Sequence, residues 1–153
     1  MSPLRLLPEA RADLRAACES AYPHEACGLL LGVITDPRVV CRVIVARNLE
    51  ESGTRFTLDP ADFARADGVA QDAGLEIMGI FHSHPDQPAR PSRADESAAQ
   101  RGWSHVIASV HGDGVRGRLA DMTSWWLTDD ASQGALIEER IEWAADARGL
   151  RSG

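Results

Sequence analysis

Long apolar runs are missing from this chain. No stretch approaches the roughly 20 residues that a transmembrane helix needs. The opening MSPLRLLPEARADLR carries Pro3, Pro8 and charges where a secretory leader needs an unbroken apolar segment. Cysteine is scarce: Cys18, Cys27 and Cys41 are odd in number with no close-spaced pair, which argues against a disulfide framework and a cysteine zinc knuckle. A reducing cytoplasm is therefore the expected compartment. Positive charge is in deficit, 16 Lys plus Arg against 23 Asp plus Glu, for a net charge of −7. A surface of that sign repels phosphate backbones, so neither nucleic acid nor a membrane is an expected partner. Low-complexity tracts and internal repeats are also absent. The 153 residues, 44 % hydrophobic and 25 % charged, are enough for one core and short for two. The expectation is one domain over residues 1–153, with its core at about 4–128 and a C-terminal strand and tail over 129–153.

PEARADLRAACESA sets Leu14, Ala17, Cys18 and Ala21 at helical spacing behind Pro8, which predicts an amphipathic helix over 8–21. CGLLLGVI and RVVCRVIVARN, parted by TDP, read as a strand pair. TRFTLD is a brief extended piece, and the segment after Pro60 spaces Phe63, Ala66, Val69, Ala70 and Ala73 helically until Gly74 ends it. LEIMGIFHSH is a buried strand, and a short helix begins near Ser92. SHVIASVH, VRGRLADM and SWWLTD follow as three strands, in the last of which Trp125 and Trp126 point to opposite faces, one into the core. Ile137, Glu139, Ile141 and Trp143 alternate as one further strand. Helices mixed with strands in this way predict an α+β fold, an α/β sandwich around one central mixed sheet.

The chemistry concentrates in FHSHPDQPARPSRADES, residues 81–97. His82 and His84 are two apart, so on a strand both rings leave the same face and can grip one ion. Beyond Pro85, Pro88 and Pro91, Ser92 and Asp95 stand three apart, on one side of a helix's first turn. His82, His84 and Asp95 meet the usual count for catalytic zinc, three protein ligands with a fourth position for water. Such an ion makes hydroxide attack on a carbonyl feasible near neutral pH. A carboxylate near the ion but off it would serve as general base, and Glu25, at the entrance of the buried strand in HEACGLLLG, is the candidate. Ser92 could donate to the oxyanion.

Each residue also has a plainer reading. Ser92-x-x-Asp95 at a helix start is a capping box, a bare His-x-His can simply close a strand in solvent, and an isolated Glu25 is usually a surface carboxylate. Cys27, two residues from Glu25, reads as a small core residue, and His24, His105 and His111 as exposed or supporting groups without metal-ligand spacing. Two histidines and a carboxylate also occur in non-haem iron oxygenases, but the order here and the predicted helices do not suit that site.

Together, Glu25-Ala-Cys-Gly-Leu-Leu-Leu-Gly32, His82-x-His84-Pro85, seven intervening residues and Ser92-x-x-Asp95 resemble the JAMM motif of the MPN-domain (Mov34/PAD-1) metallopeptidases. The likeness runs over roughly residues 4–128 and includes the order of elements. It implies a single MPN-type, cytidine-deaminase-like domain, with Zn2+ held by His82, His84 and Asp95, Glu25 as general acid/base and Ser92 as oxyanion donor. The small stand-alone bacterial members, which this chain is most similar to, process ubiquitin-like (β-grasp) sulfur carrier proteins. They remove residues after Gly-Gly or release cysteine from a carrier adduct. The implied function is thus hydrolysis of a peptide or isopeptide-like bond after a carrier's C-terminal Gly-Gly. The alternative is a non-catalytic MPN scaffold that binds a partner through the same surface; such scaffolds commonly have a broken motif, whereas all five positions stand here. A homodimer is left open. The loop Asn48–Asp59, with Arg55 and Phe56, is the expected docking element for an extended carrier tail.

Overall fold

The computed structural model describes residues 2–50, 57–128 and 136–143. Its elements follow the order β1 (Leu4–Leu6), α1 (Pro8–Ala21), β2 (Cys27–Val33), β3 (Val39–Ala46), α2 (Pro60–Ala73) and β4 (Glu76–Pro85), then α3 (Arg93–Ala98), β5 (Ser104–Gly112), β6 (Gly117–Leu127), β7 (Leu136–Glu139) and β8 (Ile141–Trp143). In α1, Pro8 occupies the first turn, and Ala10, Leu14 and Cys18, four apart, are buried along one face. In α2 the Asp59 carboxylate accepts from the Ala61 N–H at the start, and Gly74, at φ 68°, ends the helix in the left-handed region that glycine enters at no steric cost. No helix among the described residues is long and apolar enough to cross a membrane.

The eight strands among the described residues form one sheet in the order β7-β6-β5-β4-β2-β3-β1-β8. β2 runs antiparallel to both β3 and β4, whereas β4 and β5 are parallel, so the sheet is mixed as expected. β2 is covered on both sides, which accounts for its unbroken apolar run. Toward α1, Leu14, Leu30, Phe81 and Val106 pack in one core; toward α2, Leu29, Leu31, Ile44, Ala66 and Ala70 form the other. Gly28 is required where the sheet meets the first core, since a Cβ there would overlap the Phe81 ring and the Ile44 carbonyl.

Three expectations are corrected. VRGRLADM and SWWLTD are one strand, β6, because Met122, Thr123 and Ser124 stay in the ladder opposite Ala108, Ile107 and Val106; the register shifts only further along, at Ser109/Val110. Neither Trp125 nor Trp126 enters the core. β6 has only the four-residue β7 beyond it, leaving both rings half-buried, with the Arg38 guanidinium 4.4 Å from the centre of the Trp126 ring. Finally, the alternating C-terminal segment is two strands rather than one. β7 pairs with β6 at one end of the sheet and β8 with β1 at the other, although only Arg140 lies between them. The sheet is therefore curled until its edges meet. β1, too short to show a period, pairs in parallel with both β3 and β8 and completes the closure.

A buried polar knot sits inside that closure. The Glu139 carboxylate, with a side chain 0 % exposed, pairs with Arg38 and accepts hydrogen bonds from Ser104 Oγ at 2.6 Å and Ser124 Oγ at 2.7 Å. It ties β7 to β5, β6 and the β2–β3 turn.

Candidate metal centre

β4 carries an apolar body through the centre of the sheet and ends in the two histidines. Cys27 of β2 lies opposite His82, and directly opposed residues in an antiparallel pair share a face. By the same alternation His84 shares it too, and Glu25, two residues before Cys27 on the approach to β2, comes near enough to feel His84 and Asp95. His82 Nε2 and His84 Nε2 are 3.1 Å apart. Asp95 closes the triangle, with Oδ1 3.2 Å from His82 Nε2 and Oδ2 3.2 Å from His84 Nε2. Donor atoms about 2.0–2.2 Å from a common tetrahedral ion are separated by about 3.3 Å. The triangle fits that requirement, and among the described residues it is the group of three donors able to hold a metal ion.

The helix cap and the candidate ligand are one carboxylate. Ser92 is the N-cap of α3; its Oγ accepts from the Asp95 N–H at 3.1 Å, and Asp95 Oδ2 accepts from the Ser92 N–H at 2.8 Å. The capping box read as the plainer alternative is thus present, and it aims the Asp95 oxygens at the histidines. Ser92 Oγ acts there as an acceptor, so its own O–H remains to donate.

Several supporting groups carried no signal in the sequence. His84 Nδ1 lies 2.9 Å from the Pro88 carbonyl, so Nδ1 holds the proton and Nε2 presents its lone pair toward Asp95 and His82. The loop bearing Pro88 is pinned by Ser109 Oγ to the Gln87 carbonyl and by Thr123 Oγ1 to the Ala89 carbonyl at 2.7 Å. Its first residue, Asp86, stands at φ 56°, accepting from the Tyr22 O–H at 2.7 Å and the Gly112 N–H at 2.9 Å. Ser83, between the histidines, points the other way, and its Oγ accepts from the Ala26 N–H at 2.8 Å. That bond fixes the chain one residue beyond Glu25. Ser83→Ala is expected to cost about 1–3 kcal/mol by leaving a buried N–H unpaired, read from the denaturant midpoint, and to lower kcat more than it raises KM.

Burial sets the electrostatics. It pushes the Glu25 carboxyl up to about 7, against a downward pull from His84 and with an upward push from Asp95. Glu25 Oε2 is buried without a hydrogen-bond partner among the described residues, a state suited to a proton carrier facing water in the site. Burial also pushes His82 down, toward the neutral form that ligates. For Asp95, burial opposes ionisation, but the adjacent His82 and His84 imidazoles and the Ser92 N–H outweigh it and hold the carboxyl far below the usual carboxylate range.

The remaining candidates fall into place around this centre. Cys27 is fully buried with its thiol pushed up to about 12 by burial, as a core residue should be. His105 is buried and supporting: its Nε2 accepts from the Gln100 N–H at 3.0 Å, and its Nδ1 lies 3.3 Å from the Trp125 carbonyl. His24 and His111 are exposed. Arg55 and Phe56 of the expected docking loop lie outside the described residues, although Asn48 and Leu58 at its ends form an antiparallel bridge.

Comparison with known proteins identifies the family. The profile of the family described as prokaryotic homologs of the JAB domain matches residues 7–128. A protein of Thermus thermophilus named a probable TtuB-protein conjugate cleaving protease is 36 % identical over 118 residues, 76 % of this chain and 73 % of that one. A CysO-cysteine peptidase of Mycobacterium tuberculosis is 32 % identical over 135 residues, 86 % and 87 % of the two chains. The solution structure of DSY2949 from Desulfitobacterium hafniense superposes with a TM-score of 0.77 at 30 % identity, covering 94 % of each chain. With its curled mixed sheet, its convergent His-His-Asp triangle and these relatives, the chain belongs to the prokaryotic JAB (JAMM/MPN) family of hydrolases.

Proposed function

We propose that this protein is a zinc-dependent metallopeptidase that hydrolyses the bond following the C-terminal Gly-Gly of a ubiquitin-like (β-grasp) sulfur carrier. The observation that carries the reading is the donor triangle of His82, His84 and Asp95 beside a buried Glu25 oxygen that has no hydrogen-bond partner among the described residues. The names of the relatives support the substrate class, one acting on protein conjugates and another on a carrier–cysteine adduct. A scaffold has no use for a buried carboxylate kept near neutrality.

Zn2+ held by the triangle would supply an activated water and a polarised carbonyl. Glu25 takes a proton as the water oxygen adds to the Gly carbonyl carbon, and returns it to the departing nitrogen as the C–N bond breaks. One water is consumed, leaving a carrier carboxylate and a free amine. The Ser92 hydroxyl donates to the oxyanion that develops in between. Pro88, through His84 Nδ1, and Ser92 N–H, through Asp95, hold the ligands in orientation while this happens.

The test is direct. Candidate β-grasp carriers with C-terminal extensions are incubated with the protein and weighed by mass spectrometry. The expected product ends at Gly-Gly, disappears with a chelator and returns on adding Zn2+. Asp95→Asn is expected to lose stoichiometric metal on dialysis, measured by elemental analysis. A wild-type protein that carries no zinc and cuts no Gly-Gly-extended carrier sinks the proposal.

A further inference from the structure

Beside the triangle lies a cavity of about 360 Å³ that the chemistry above does not use. His82 and Asp95 form one wall. Ile80, His105 and Ile107, all buried residues of the sheet, form its floor. Phe63 of α2 and Trp103, just before β5, reach over it with their rings stacked at 6.1 Å and 21°. Asp95 supplies the sole charge among the described lining residues. The wall is built in advance: neutral His105 is held between the Gln100 N–H and the Trp125 carbonyl, which fixes the segment between α3 and β5 over the opening.

We propose that this cavity takes the side chain of the residue that follows the scissile bond, so that the enzyme prefers α-linked extensions whose first residue after Gly-Gly is large and apolar. The inference rests on the Gly-Gly specificity proposed above. Successive residues of an extended chain advance about 3.3 Å, so the part of the cavity walled by His82 and Asp95 is reached from a residue flanking the cleaved bond. On the carrier side that residue is glycine, which has no side chain to offer. The leaving side therefore supplies the occupant, and apolar walls around a volume of this size suit an aromatic or branched aliphatic group. The floor of buried sheet residues matters as well. A side chain branching from an α-carbon can end there, whereas a lysine stem joined through its ε-nitrogen must continue to its own backbone and a folded protein.

The experiment compares kcat/KM for one carrier extended after Gly-Gly by peptides beginning with Phe, Ala or Asp, and for the same carrier joined to a lysine ε-amine. The Phe-led extension is expected to be cut at least about tenfold faster than the other three, the discrimination an apolar pocket can supply. Phe63→Ala, which removes a wall, and Ala98→Leu, which fills the rim, should each reduce the Phe-to-Ala ratio at least about fivefold. Melting curves check that both variants fold, and Ala98 is exposed enough to be replaced without disturbing the core. In a Glu25→Gln background, calorimetric titration should show the same order of affinities for the uncleaved carriers, free of turnover. Rates within threefold across the four substrates, a preference for the lysine-linked carrier, or a ratio that both variants leave intact would each overturn the inference while the Gly-Gly reading stands. Failure to cut any of the four overturns both.

Discussion

Glu25→Gln is expected to bind metal and carrier as the wild type does and to turn over about 10²–10⁴-fold more slowly, the range lost with a general acid–base group. The amide matches the carboxylate in shape, so Ser83 and the β2–β4 ladder still hold the backbone in place, but it cannot accept the proton of the attacking water. Single-turnover kinetics with a mass readout checks the rate, and elemental analysis checks the metal. A variant within threefold of wild-type kcat would remove Glu25 from the mechanism.

The same substitution has a second, opposite effect on stability. Burial raises the folded-state pKa of Glu25 from 4.5 to about 7, so the metal-free folded protein binds a proton there that the unfolded chain has already released. Between pH 4.5 and about 7 the unfolded state holds fewer protons, and stability falls as the pH rises. Below 4.5 both states are protonated and nothing is lost; above about 7 the penalty is at its full value. Metal-free Glu25→Gln should consequently melt above metal-free wild type at pH 8, with the difference closing toward pH 4. A carboxylate that destabilises the metal-free fold is what burial without a partner among the described residues entails. A higher melting point for wild type at pH 8 would contradict that account.

Glu139→Ala is expected to cost about 3–5 kcal/mol of stability, because it leaves the Arg38 cation without its anion at a largely buried site. Arg38 is only 14 % exposed at its side chain and Glu139 not at all. Ser104 and Ser124 lose their shared acceptor in the same step. Urea unfolding measures the loss. Since Ser104 begins β5 opposite Gly79 of β4, three residues before His82, the variant should also hold metal less tightly. A midpoint shift equal to that of Glu138→Ala, at an exposed position on the same strand, would show that the knot contributes nothing.

How much of this was legible depended on the range of the interaction. The bounds of α1, from Pro8 to Ala21, were readable because a first-turn proline and a four-residue apolar period are local. The end of α2 at Gly74 was readable because only glycine enters the left-handed region freely. The two histidines showed themselves through strand alternation, and Ser92 with Asp95 through helix-start spacing. The joining of VRGRLADM to SWWLTD was not readable, since the ladder to β5 carries the strand past residues that locally resemble a turn. The split of the C-terminal segment at Arg140 was equally hidden, because its two halves pair with strands more than a hundred residues apart in sequence.

By itself, then, the sequence determined the donor types and their local geometry: two imidazoles on one strand face, a carboxylate at a helix start, and a glutamate before a buried strand. Backbone periodicity alone suffices for that. The tertiary structure decided that the two imidazoles and the Asp95 carboxylate converge within 3.2 Å, that Pro88 and Ser83 hold the segments around them, that Glu25 is dry enough to keep its proton near neutrality, and that an apolar cavity opens beside them. Desolvation and long-range packing exist only once the sheet has curled shut, and no local pattern encodes them.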